Sequence, residues 1–340
     1  MYLKKKILAV CDAEAEYTRR FCEYVGKKKD YPFEAAAFSS VEKLRQFCEE
    51  EEVTVLLISE NDYELSLKEI VKGGVIVLSE EESKGGEARN IYKYQPCENV
   101  LREVMYYCAE ENMMPACISF PGNVQSGRLR LVGLYTPVHR CMQTTFAMTL
   151  GEILAKKHKV LYLNFESFSG LEKRLQREFM TDMSDLIYYM TNAREAFFYK
   201  LKGMTQTLQR LDYIPPVFSF MDLARITAQQ WTSLFQEIER LTSYEFLILD
   251  LSAHMQGLFD ILRMCEKVFT LVREDDMALS KLQQYEKLLE RTEYEDVLKK
   301  TRRCRVPLIR NVPLNLLELT HSDLADYVGK LVREEFYGGE

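Results

Sequence analysis

The sequence has no stretch of roughly eighteen uncharged apolar residues, the length a helix needs to cross a bilayer, so no membrane span is predicted. It has no Cys-x-x-Cys pair; its nine cysteines (11, 22, 48, 97, 108, 117, 141, 265 and 304) stand singly. That odd, unpatterned set points to a reducing, cytoplasmic compartment and to core packing, and excludes a disulfide framework or a zinc site. The four histidines, His139, His158, His254 and His321, lack metal-ligand spacing. The only tryptophan, Trp231, falls in a run with helical spacing, Ala228 to Leu241, and reads as core. A surplus of positive charge is missing too. The net charge of −7 falls on the first 120 residues, with 16 Lys+Arg against 23 Asp+Glu, whereas residues 121–340 hold 29 of each. That balance argues against a nucleic-acid-coating protein. The N-terminus is basic and then apolar, like a signal peptide, but the apolar run stops at Asp12 without a small-residue cleavage site, so a first strand is predicted.

What is present is an ordinary globular balance, 47% hydrophobic and 29% charged residues in 340, which predicts two domains. The chain is organised around Gly133 to Thr145. An apolar strand through Leu129, Leu131 and Leu134 runs into a tight loop holding Pro137, and the loop opens into a helical run, Phe146 to Lys156, behind Thr144 and Thr145. Backbone N–H groups and the positive end of the helix dipole would cradle an anion there. A working phosphate loop ends in Gly-Lys-Ser/Thr, because glycine lets the backbone wrap the phosphates and lysine neutralises them. This loop has His139, Arg140 and Met142 where glycines belong and Gln143 where the lysine belongs.

Through Tyr135-Thr136-Pro137 and Thr144-Thr145 the stretch resembles the deviant P-loop ATPases of the MinD/ParA type, whose loop reads Tyr/Ser-Pro-Lys-Gly-Gly-x-Gly-Lys-Thr-Thr. The resemblance implies that any nucleotide contacts fall to Pro137, Val138, His139, Arg140, Cys141, Met142, Gln143, Thr144 and Thr145, with Asn311 and Pro313 in the loop closing over adenine. Val138 replaces the lysine that reaches across a dimer. Glu245 to Asp250 is an apolar strand ending in Asp, the Walker B form, while Lys159 to Phe165 carries Asn164 where the family has an acid and is followed by Glu166. Mg²⁺, if nucleotide binds, is implied at Thr144, Glu166 and Asp250. Leu211 to Pro216, with Met221-Asp222-Leu223, resembles the loop facing nucleotide and partner.

Ahead of this, strands are predicted over 3–11, Phe33 to Phe38, Val53 to Ile58, Val75 to Leu78 and Ile91 to Tyr94. Helices are predicted over Ala15 to Val25, Val41 to Glu50 (capped by Ser39-Ser40), Leu65 to Val71 and Glu98 to Glu110. The alternation predicts a doubly wound (βα)₅ domain over 1–112, a Pro/Gly/Ser connector over 113–127 and a second doubly wound, parallel-sheet domain over 128–340. The first domain resembles a response-regulator receiver. That resemblance implies acids after the first strand, an acceptor Asp ending the third, Ser/Thr ending the fourth and Lys before Pro ending the fifth. Asp12 with Glu14 stands at the first place, Ser59 beside Glu60 at the acceptor place and Ser79 at the fourth, and Gln95 precedes Pro96 where the lysine is expected. The implied reading is a pseudo-receiver used for contacts, with Asp12, Glu14 and Glu60 as solvated strand-end residues.

In the second domain, helices are further predicted over Asp182 to Met190, Ala193 to Lys200, Met277 to Glu290 and Leu324 to Phe336, and strands over Val268 to Val272 and Val306 to Ile309. The terminal helix lacks a basic face and is expected to dock on the domain. Lys299 to Arg305 puts five basic groups in seven positions; it reads as a helix C-terminus, or else as a site for an acidic partner.

A pseudo-receiver followed by a MinD/ParA-like domain is similar to the TadZ/CpaE group of polar-localisation and assembly factors of Tad/Flp pili. The resemblance implies a scaffold with protein partners, compatible with a homodimer, while the cysteine usage, charge balance and lack of a long apolar run predict a cytoplasmic protein with no specific nucleic acid and no membrane insertion. Losing the phosphate lysine removes a contact of ~1.5–3 kcal/mol, at roughly 1.4 kcal/mol per tenfold in affinity, so no cofactor is expected. Two alternatives stay open: an ATP- and Mg²⁺-binding switch or slow ATPase in which Arg140 stands in for the lysine, and a signalling adaptor unrelated to pili.

Overall fold

In the computed structural model, which describes residues 6–28, 31–71, 73–81, 89–111, 128–306 and 315–338, the apolar runs assemble into two sheets. The chain divides into two compact units, Met1–Gly122 with Asn192–Gly203, and Asn123–Thr191 with Met204–Glu340.

The first unit contains β1 (Lys6–Cys11), α1 (Ala15–Lys27), β2 (Phe33–Phe38), α2 (Val41–Glu50), β3 (Val53–Ser59), α3 (Leu67–Ile70), β4 (Gly74–Ser79), β5 (Arg89–Tyr92) and α4 (Cys97–Glu110). Its sheet runs β2-β1-β3-β4-β5 and is parallel throughout, the flavodoxin-like doubly wound order. β3 is buried at every position, as a central parallel strand covered on both faces must be. Four helices alternate with these strands among the described residues, and residues 82–88, between β4 and β5, lie outside them. The helix predicted over Leu65 to Val71 shortens to α3, which buries only Leu67; Val71, also buried, already has extended backbone, and so short an apolar face holds no longer helix. Ser40 takes the N-cap position of α2 in extended backbone but makes no side-chain cap bond.

The second sheet is built from β6 (Arg130–Leu134), α5 (Gln143–Leu154), β7 (Val160–Asn164), α6 (Leu171–Leu175), α7 (Met183–Asn192), α8 (Phe197–Met204), β8 (Gln206–Leu208), β9 (Leu211–Tyr213), α9 (Phe220–Arg225), α10 (Ala228–Leu241), β10 (Phe246–Asp250), α11 (Leu258–Met264), β11 (Lys267–Val272), α12 (Asp276–Glu290), α13 (Glu295–Lys299), β12 (Thr301–Arg305) and α14 (Asp323–Phe336). Most of α8 groups with the first unit, although its position in the sequence predicts the second. The strand order is β12-β11-β6-β10-β7-β9-β8, parallel except for the antiparallel β8–β9 pair. Leu211–Tyr213, expected in a loop, is therefore a strand. Leu211 and Tyr213 are buried on either side of half-buried Asp212, and this period of two fits the edge of β7. Met221, Asp222 and Leu223 lie in α9. The last strand among the described residues is β12 rather than Val306 to Ile309, of which residues 307–309 lie outside the description.

Trp231 is fully buried and meets Phe165 edge-on at 4.9 Å between ring centroids. α14 buries Leu324, Val328, Leu331 and Val332 in the same core as Phe146 and Leu150 of α5, so it docks as expected. The basic run is not one helix end. Lys299 closes α13, and the cations after it line an edge strand paired within the unit: Arg302 with Glu334 and Glu335 at 3.4 and 3.6 Å, Arg303 with Glu286 at 2.6 Å, and Arg305 with Glu274 at 3.2 Å.

Candidate functional site

β6 delivers the chain to the loop, and the loop is pinned to β11. Tyr135 N donates to Phe269 O at 3.1 Å. Thr136 Oγ1 donates to Leu271 O at 2.8 Å and accepts from Val138 N at 3.1 Å. Val138 and Cys141 turn inward and His139 and Arg140 outward. Arg140 and Met142 both have φ of 62°. A residue with a Cβ takes that left-handed backbone at a cost of roughly 1–2 kcal/mol, and glycine takes it freely. The loop thus keeps glycine-type turns without glycine. Met142 is the N-cap of α5 with no side-chain cap bond, and Gln143 opens the helix. Beside the loop lies a cleft of about 710 Å³, walled by Thr144, Thr145, Glu166, Phe168, Phe220 and His254 among others.

The floor of the cleft is closed. Asp250, fully buried at the end of β10, accepts Gln143 Nε2 on Oδ1 at 2.7 Å, and on Oδ2 it accepts Tyr162 OH at 2.9 Å and Asn164 Nδ2 at 3.1 Å. The Thr144 side chain also favours the charged form of this carboxylate. Gln143 Nε2 also donates to Leu251 O at 2.9 Å. Burial raises the Asp250 carboxyl above its ordinary value against the pull of Gln143, Thr144 and Tyr162. Burial, and then the Asp250 charge, push Glu166 up to about 7. At the mouth, Ser167 Oγ and His254 Nδ1 lie 2.8 Å apart, and the exposed Phe168 stacks obliquely on Phe220 at 6.0 Å.

The structure therefore brings Thr144, Glu166 and Asp250 together, as the metal reading requires, yet the residues do not fit Mg²⁺ and ATP. Both Asp250 oxygens already accept neutral donors, and the lysine position holds an amide that faces inward. Asn311 and Pro313 lie outside the described residues. Tyr162 and His254 escaped the sequence reading. Tyr162 looked like one more apolar strand residue, and only its pairing opposite Ile248 on β10 sets it beside Asp250.

In the first unit, the strand ends carry Asp12, Ser59 and Ser79 to one edge of the sheet. Ser59 Oγ accepts from Asn61 N at 3.4 Å, and Ser79 Oγ donates to Glu81 O at 3.0 Å. Gln95 is not at this edge cluster; its amide donates to Glu103 Oε1 at 2.7 Å. Lys93 is there instead, because β5 ends at Tyr92, two residues earlier than the sequence predicts. Its Nζ lies 2.8 Å from Asp12 Oδ2 and 2.8 Å from Glu14 Oε1. Asp12 is thus a buried, paired carboxylate and not a solvated one.

No protein-family model and no curated protein matches the sequence. Among solved structures the chain is similar to a ParA family ATPase from Chlorobium tepidum TLS, with 16% identity and a TM-score of 0.46 over 58% of this chain and 96% of that one. It is similar to the MinD cell division protein of Aquifex aeolicus, with 15% identity and a TM-score of 0.41 over 58% and 93%. It is also similar to the cobyrinic acid a,c-diamide synthase of Mycobacterium smegmatis with bound ADP and magnesium, with 12% identity and a TM-score of 0.40 over 62% and 97%. Likeness at this level transfers no residue role.

Proposed function

We propose that the second unit is a nucleotide-switch fold turned into a fixed scaffold, and that the chain is a non-catalytic or nearly non-catalytic MinD/ParA-like localisation factor in the assembly of a Tad/Flp-type pilus. The closed ring of donors on Asp250 carries the loss of turnover. Admitting a metal there means stripping Gln143, Tyr162 and Asn164 from a fully buried carboxylate, and a buried donor left unpaired costs about 1–3 kcal/mol. Binding to protein partners is supported by large exposed apolar side chains, Phe168 at the cleft (84% exposed) and Phe218 (85%) and Met180 (91%), which line a second pocket together with Phe168. The pilus assignment rests on the order of parts, a doubly wound unit with an eroded phosphoacceptor edge followed by a unit with an eroded phosphate loop. Among the described residues no helix is long and apolar enough to cross a membrane.

Calorimetric titration with Mg·ATP tests the first part. The expected result is no saturable binding in the micromolar range, and a micromolar dissociation constant abolished by Asp250→Ala would overturn it. A fluorescent fusion and a deletion strain test the second part; diffuse fluorescence with unchanged piliation would remove the pilus assignment. One observation favours the alternative of an atypical ATP-binding switch, the persistence of a cleft of about 710 Å³ at the loop. The same titration decides between the two.

A further inference from the structure

The doubly wound first unit gathers the C-terminal ends of its strands at one edge, where the receiver resemblance implies a divalent cation held by acids after β1. The residues do not fit that ion, because a cation of the chain itself is already between the acids. Asp12 and Lys93 are each 2% exposed. The Lys93 ammonium bridges Asp12 Oδ2 and Glu14 Oε1, at 2.8 Å from each.

The bridge is held on several sides. Lys93 N donates to Ser79 O at 2.8 Å, which anchors the residue to the end of β4. Glu14 N donates to Asp12 Oδ1 at 2.8 Å, which fixes the carboxylate from below α1. The ammonium also lies over the rings of Tyr17 and Tyr94, 5.1 and 5.4 Å from their centroids. Burial alone would push the Lys93 ammonium down, and the hydrogen bonds and charges of Asp12 and Glu14 overcome it, so it stays protonated.

The charge count explains why one positive charge suffices. Among the described residues, with Ser59 at the third strand end, the buried part of the edge holds one carboxylate, Asp12, against one ammonium. The second carboxylate, Glu14, is 56% exposed in its side chain and is solvated by water. A divalent ion added to this set would place uncompensated charge in a buried site, which proteins tolerate poorly.

We propose that the Lys93 ammonium is a built-in counter-ion that occupies the place of a divalent cation between Asp12 and Glu14, and that the first unit holds its edge geometry without metal and without a phosphoryl group. Removing the ammonium while keeping the acids should then uncover a cation site that the natural chain lacks.

The test is thermal unfolding of the full chain with and without millimolar Mn²⁺ or Mg²⁺, against a chelator control. The natural protein should show no metal-dependent shift. Lys93→Met should unfold at a lower temperature in chelator, recover in part with Mn²⁺ and bind Mn²⁺ at least tenfold more tightly than the natural chain, and Asp12→Asn in the same variant should abolish that gain. Metal stabilisation of the natural chain that disappears in Asp12→Asn would overturn the proposal, as would a folded Lys93→Met that ignores Mn²⁺. If Lys93→Met does not fold while Lys93→Met/Asp12→Asn does, the counter-ion role stands, because the damage then comes from an unpaired Asp12. If neither folds, Mn²⁺ titration of the natural chain and of Asp12→Asn decides.

Discussion

The amide of Gln143 donates to Oδ1 of Asp250 at 2.7 Å, joining the first residue of α5 to the last residue of β10. The residue at the lysine position of the loop and the acid at the strand end thus face each other with nothing between them. Gln143→Ala leaves one oxygen of a fully buried carboxylate short of a donor, and Asp250→Ala leaves three side-chain donors without their acceptor. Both substitutions should destabilise the second unit by about 1–3 kcal/mol, with Asp250→Ala at the upper end. Trp231, the only tryptophan and fully buried in this unit, gives the readout as a fluorescence-detected urea transition. An unchanged midpoint in either variant would mean that the ring around Asp250 does not hold in solution.

Arg140 is exposed with φ of 62°. Because its side chain contributes little packing, the backbone term should dominate when it is replaced. Arg140→Gly relieves the left-handed penalty of roughly 1–2 kcal/mol, offset in part by the greater freedom of glycine in the unfolded chain. The expected net effect is a gain of about 0.5–1 kcal/mol, seen as a higher urea midpoint. A loss of stability would show that the guanidinium makes contacts that matter more than the turn.

Much of the fold was legible where one period dominates. Trp231, Leu234, Phe235 and Ile238 are spaced as one helical face, and α10 has the predicted bounds. β3 could be read from its unbroken apolar run. The errors lie where tertiary pairing overrides a weak local pattern. β12 reads Thr-Arg-Arg-Cys-Arg with only Cys304 buried, so nothing in its composition marks a strand. β9 has three residues, too few for alternation to stand out. The site at the first sheet edge was misplaced by strand register: setting the end of β5 two residues late put Gln95 where Lys93 belongs. The loss of phosphate-loop chemistry was visible in the residue types of the loop. The closure of Asp250 was not, because Tyr162 and Asn164 meet it only through strand pairing.

Glu152 of α5 is 2% exposed, and burial pushes its carboxyl up to about 7 against the backbone amides of Arg210 and Leu211. The folded value exceeds the ordinary carboxylic value of 4.5. The native state therefore holds this proton more tightly than the unfolded chain does. The associated stability is full below pH 4.5 and is lost as pH rises through about 7. Glu166 shifts in the same direction. Urea midpoints followed through Trp231 should fall across this window, by on the order of 2–3 kcal/mol for Glu152. Glu152→Gln should flatten the profile. A profile that rises with pH, or that the substitution leaves unchanged, would show that the carboxyl is ionised and solvated.

The basic run from Lys299 to Arg305 is not expected to bind nucleic acid. Binding to a phosphate backbone draws its free energy from cations free to replace condensed counter-ions. Arg302, Arg303 and Arg305 are already engaged by Glu334, Glu335, Glu286 and Glu274. These pairs are partly exposed and individually weak, but DNA approaching β12 would also meet the four carboxylates. The expected result is no retention of duplex DNA at physiological salt and, at low salt, weak binding that Arg302→Ala and Arg303→Ala change little. Replacing Glu286 and Glu334 with Gln should raise low-salt retention by freeing their partners. Sequence-independent binding by the natural chain at physiological salt, lost on Arg303→Ala, would mean that the arginines leave their carboxylates for phosphate and that the edge strand is a nucleic-acid surface after all.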